Sequence, residues 1–130
     1  MKEKAAALAG LDAIHAKIEA LGQDKEPFAE KLVVGISLAS QILRTLLEVE
    51  GKPYDANADL LRLWKTLTKG APHWNTIRDN CRELIYYQNC LAMDRVDALP
   101  PAPEKMMIHI LRHLYLYARS HIEQLQQELS

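Results

Sequence analysis

The side chains best suited to chemistry gather near the C-terminal end, in His109-Ile-Leu-Arg-His113 and then Tyr115, Tyr117, Arg119 and His121. His109 and His113 stand four residues apart, a spacing that lets two imidazoles approach one metal from a helix, but a metal site needs at least a third protein ligand. No Asp or Glu lies within that turn, and Glu104 and Glu123 are too far along the chain to complete it. No metal is therefore expected; His109 should face solvent, with His113 and His121 flanking the core and their ring nitrogens satisfied. Lys105, Arg112 and Arg119 recur every seven residues, which on a helix holds them within about 20° of one line, a basic stripe that is either a solvated face, the favoured reading, or the edge of an interface. Arg78, Arg82, Tyr86 and Asn89 share another flank, a mixture able to stack on bases and neutralise phosphates. The candidates for ligand or partner binding are thus Arg78, Arg82, Tyr86, Arg112, His113 and Arg119.

Other chemistry finds no support. There is no glycine-rich phosphate loop, no His-Glu-x-x-His, no Cys-x-x-Cys, no Gly-x-Ser-x-Gly and no Glu-x-x-His, so neither a catalytic residue nor a cofactor is expected. Glu48, Glu50, Asp55 and Asp59 cluster where helices end, and serve as solvating and capping groups there. Cys81 and Cys90 are nine residues apart, about half a turn out of phase on one helix, and so read as separate buried thiols. Trp64, Trp74, Tyr86 and Tyr87 read as packing anchors. Sixteen Lys and Arg against seventeen Asp and Glu leave a formal charge of -1, which removes the long-range attraction to nucleic acid or anionic membrane and leaves only a local patch for either. The richest apolar segment, Leu32 to Val49, is interrupted by Ser37, Ser40, Gln41, Arg44 and Glu48, so no membrane span is expected. The opening Met1-Lys-Glu-Lys-Ala-Ala-Ala is no signal peptide, and a cytoplasmic location is expected.

The elements that must position these groups all carry helical periodicity. Leu8, Leu11, Ile14, Ile18 and Leu21 mark a first helix over 2–21, with Gly22 as a left-handed cap. Pro27 suits the first position of a second helix reaching Val49, whose stripe Phe28, Leu32, Ile36, Ala39, Leu43 and Leu46 is widened by Val33, Val34, Leu38, Ile42 and Leu47. Asn57 can cap a short third helix carrying Leu60, Leu61, Leu63, Trp64 and Leu67 and ending at Gly70. A fourth, from Asn75 to Met93, aligns Trp74, Ile77, Cys81, Leu84, Ile85, Gln88 and Leu91. After the proline-rich stretch 97–103 a last helix runs from Glu104 almost to Ser130, with Met107, Leu111, Leu114, Ala118, Ile122, Leu125 and Leu129 inward. Nothing alternates as a strand does. The 130 residues predict a single all-α domain, an antiparallel up-and-down bundle of four long helices plus one short helix.

The order Ala39-Ser-Gln-Ile-Leu-Arg-Thr-Leu-Leu-Glu-Val-Glu-Gly51, Asp59-Leu-Leu-Arg-Leu, Tyr86-Tyr87, Arg95, Asp97-Ala-Leu-Pro100 and a long closing helix resembles the HEPN domain family, over roughly residues 28 to 125. The resemblance implies a helical bundle. Nuclease members of that family carry an Arg and a His separated by four to six residues, over a dimer cleft where they assist RNA cleavage. Here Arg112 meets Tyr117, Ala118 and Arg119 at those positions, and no other Arg has a His in reach. The resemblance therefore implies the noncatalytic branch, whose bundles act as binding or partner subunits, sometimes beside a nucleotidyltransferase. The surplus apolar circumference of the second helix, with Met106, Ile108 and Leu116 outside the main stripe of the last, predicts a homodimer or a protein partner. An RNA-binding or RNA-cleaving bundle using the Arg/His face of the last helix is the alternative.

Overall fold

A computed structural model, describing residues 2–69 and 71–129, shows five α-helices in chain order. They are α1 (Lys4–Gln23), α2 (Phe28–Glu50), α3 (Leu60–Thr68), α4 (Asn75–Ala92) and α5 (Pro103–Leu129), with short 3-10 turns at Pro72–Trp74 and Val96–Ala98. No strand occurs among the described residues, and the protein is all-α as its periodicity predicts. Helix directions follow from cross-helix contacts. Asp12 meets Arg119 while Glu19 meets Arg112, so α1 and α5 run antiparallel. Lys31 faces Glu104 and Glu50 faces His121, so α2 and α5 run parallel across the bundle. Asn80 meets His113 and Tyr117 reaches His73, so α4 opposes α5. The four long helices alternate in direction, and α3 is the short addition.

The packing is uneven around this bundle. Helices α1, α2 and α5 form the tightest unit, while α3 packs on both α2 and α4 and only a narrower seam joins α4 to α5. The close diagonal approach of α2 to α5 depends on Gly35: a Cβ there would lie 2.8 Å from the Met107 sulfur and 3.4 Å from Leu111. Only a residue without a side chain lets the two axes come that near. Leu38, Ile42, Leu43, Leu46 and Leu47 are buried on several sides of α2, which makes it the central helix. By length and composition α2 alone among the described helices could also cross a membrane, beyond what its interrupting polar residues suggested, yet most of it is buried in the bundle. Its Ser40 and Thr45 hydroxyls donate to the carbonyls one turn back, so they enter the core already satisfied.

Helix ends are where sequence and structure part. Gly22 lies inside α1, which continues to Gln23 and ends against an extended Asp24; Gly51, with φ 70°, is the left-handed cap, at the end of α2. Pro27 precedes α2 as its N-cap and is not the first helical residue. Helix α3 is capped by Asp59, whose carboxylate accepts from the Arg62 N–H, and not by Asn57. On α4 the inward residues are Ile77, Cys81, Leu84, Tyr87 and Cys90, and Gln88 is exposed, so the buried face is rotated toward Tyr87. Ile108 is buried, against the expectation that it adds outer apolar surface, whereas Met106 and Leu116 are exposed as expected. Gly70 and the Leu129 side chain lie outside the described residues.

Candidate functional site

Two of the predicted cations are engaged across the α1–α5 seam. Arg112 grips Glu19 with two hydrogen bonds, Nε to Oε1 at 2.8 Å and a terminal nitrogen to Oε2 at 2.6 Å. This planar two-point match is the strong form of an arginine–carboxylate pair. Arg119 donates to Asp12 at 2.7 Å and pairs with Glu123 one turn on at 2.8 Å. The Tyr115 hydroxyl donates to the same Asp12 oxygen at 2.8 Å, and the His15 ring stacks on the Tyr115 ring at 4.3 Å with 6° between planes. The Arg112 hydrogen bonds hold the Glu19 carboxyl below its ordinary range, while burial, then the Asp12 bond, raises the Tyr115 hydroxyl. The basic stripe is thus an interhelical clamp rather than a solvated face, and only Lys105 of the three has no ion-pair partner among the described residues.

The remaining candidates do not converge on one site. Arg78 contacts its neighbour Asp79 at 3.3 Å. Arg82 is exposed with no partner among the described residues. The Tyr86 hydroxyl donates to the Ala98 carbonyl at 2.9 Å and pins the 3-10 turn that follows α4. His113 shares a hydrogen bond with Asn80 at 3.0 Å on the α4 side, away from the α1 contacts of Arg112 and Arg119. His109 is exposed, as expected, and its ring centroid is 6.5 Å from that of His113. His113 is also exposed and does not flank the core, whereas His121 is half-buried against Glu50 at 2.9 Å. Among the described residues no three His, Cys, Asp or Glu side chains gather as a metal site. Burial pushes the Cys81 thiol up to about 12, which keeps it protonated and inert.

Sequence reasoning did not locate the groove between α2 and α4. It encloses about 290 Å³ and is lined by uncharged side chains, among them Leu32, Val33, Ile36, Gln88 and Leu91. Phe28 of α2 and Tyr87 of α4 also meet, edge-on at 6.3 Å. Val33 is 71% exposed beside the groove, Val34 47%, and Met93, just past the end of α4, 71%. The signal for this groove was the pair Val33-Val34 standing off the main stripe of α2, with Gln88 and Leu91 on the predicted face of α4; what hid it is that periodicity does not tell which helices stand side by side. Comparison of the chain with protein-family models, with characterised proteins and with solved structures returned no match.

Proposed function

We propose that this protein is a noncatalytic, HEPN-like interaction module that acts as a homodimer, with the α2–α4 face as its contact surface. The observation that carries this reading is the juxtaposition of a protruding valine and an apolar recess in one patch: Val33, 71% exposed, stands at the lip of the groove that it helps to line. A two-fold dimer requires a surface that is its own complement, each copy offering the knob that fills the other's hole. The lining carries no charge, so a second copy meets no like-charge repulsion, while an acidic or basic partner gains nothing there. Transferring an exposed valine to an apolar recess contributes roughly 1.5 kcal/mol or more, and two-fold symmetry counts it twice. The engagement of Arg112 and Arg119 by α1 carboxylates favours this reading over RNA binding, which needs those cations free.

Sedimentation equilibrium from low to high micromolar concentration tests the proposal. The wild-type chain is expected to shift from monomer to dimer, and Val33→Asp to weaken the dimer by about a hundredfold, since it buries two carboxylates without partners. A chain that stays monomeric throughout, or a dimer indifferent to Val33→Asp, contradicts it.

A further inference from the structure

At the end of the bundle where α1 gives way to α2, Lys31 turns inward and is only 3% exposed. Its ammonium donates to the Asp24 carbonyl at 2.8 Å and sits 3.5 Å from a Glu104 carboxylate oxygen on the first turn of α5. An ammonium has three N–H donors. The carbonyl takes one, and the Glu104 contact is an ion pair longer than an ordinary N–H···O bond. A buried cation with donors unspent is costly unless something else serves it. Lys31 forms one wall of a pocket of about 720 Å³, whose other walls include Glu104, Lys105, Met106, His109 and Arg112. Arg112 is already held by Glu19, which leaves Lys31, Lys105 and the His109 imidazole in one pocket whose lining holds a single carboxylate, that of Glu104.

We propose that this pocket binds a small organic phosphate. A phosphomonoester brings close to two negative charges and three acceptor oxygens, enough to serve Lys31, Lys105 and His109 together; a lone carboxylate is what Glu104 already supplies. The volume lies in the range of small-molecule sites and far exceeds a bare phosphate, so the organic body rests on the apolar wall of Met106 and Ile108. Glu104, 51% exposed on its side chain, is the internal anion that the phosphate displaces, and it swings to solvent when the ligand enters. Lys31 and Val33 are two residues apart and so about 200° around α2, which sets the pocket on the side away from the dimer face and makes the inference independent of it.

The test is a titration of the full chain with AMP, followed by the His109 imidazole proton in NMR and by calorimetry, with hexanoate as the carboxylate probe. AMP is expected to saturate with a Kd of about 1 mM or tighter. Glu104→Gln, which removes the competing anion, should tighten AMP binding about threefold or more, and Lys105→Gln should weaken it about tenfold, the scale of one charge-assisted contact. Lys31→Met should abolish it. Because Lys31→Met also removes the bond to the Asp24 carbonyl, the exposed Lys105→Gln carries the test if that variant does not fold. No saturable response to AMP, AMP binding unchanged in Lys105→Gln, or hexanoate binding as tightly as AMP overturns the proposal.

Discussion

The α1–α5 seam and the α2–α4 groove are both places where long helices meet at the surface, and they are built on opposite principles. The seam is rich in charge and closed: Arg112, Arg119, Glu19, Asp12 and Tyr115 satisfy one another across it. The groove is without charge and open, with Val33 left to water. Arg112 and Arg119, prominent among the residues with chemical promise, are therefore spent on holding the fold, while Val33 in the groove stands exposed. A cation that has found its carboxylate within its own chain is a weak candidate for binding another molecule, whereas apolar side chains exposed together around a recess are a candidate contact surface.

The largest way to break this contrast acts through Gly35, whose missing side chain lets α2 pack closely on Met107 and Leu111 of α5. Gly35→Val should lower stability by about 1–3 kcal/mol, because a Cβ at 2.8 Å from the Met107 sulfur forces the two helices apart; urea unfolding reads the loss, and an unchanged midpoint would mean that the close approach is not enforced there. A smaller effect is expected at Tyr87, between α2 and α4. The Tyr87 hydroxyl is buried with no hydrogen-bond partner among the described residues, and burial, with the charge of Glu83 one turn earlier, pushes it up to about 12. Tyr87→Phe should then leave stability unchanged or raise it by up to about 1 kcal/mol, since a lone polar group is removed and the ring's packing is kept; a clear loss by thermal unfolding would reveal a partner for that hydroxyl. The smallest concerns the seam. Arg112 lowers Glu19 from its ordinary 4.5, so the pair stabilises the fold above that pH and the contribution fades as pH falls through the lowered value. In Arg112→Ala the Glu19 titration, followed by carboxyl carbon NMR, should move back up toward 4.5, and the acid limb of the stability curve should flatten; a midpoint that stays put would remove Arg112 as the cause.

Much of this architecture was legible because burial on a helix repeats every three or four residues, and Leu43, Leu63, Leu84, Leu111 and Ile122 each fall on the predicted face and are buried. Caps were harder to read: Asn57 and Asp59 are both good capping types, and the choice depends on which carboxylate meets a free N–H, a matter of one local geometry. The basic stripe on α5 was visible, but its neutralisation was not, since Glu19 and Asp12 lie 93 and 107 residues away in sequence from the arginines they bind. Periodicity tells which way a side chain points from its own helix and nothing about which helix stands opposite. For the same reason Val33 and Val34 were recognisable as surplus apolar surface, while the place of Val33 opposite Leu91 in one groove was not.

The central claim is that the uncharged groove is covered by a second copy of the chain. Its most direct test is an isotope-filtered NOE spectrum of a mixed sample, half labelled and half unlabelled, at a concentration where self-association is complete. Intermolecular contacts from the Val33 methyl groups to Ile36 and Leu91 are the predicted result. Intermolecular contacts confined to α5, around Leu116, with none at Val33, would contradict it.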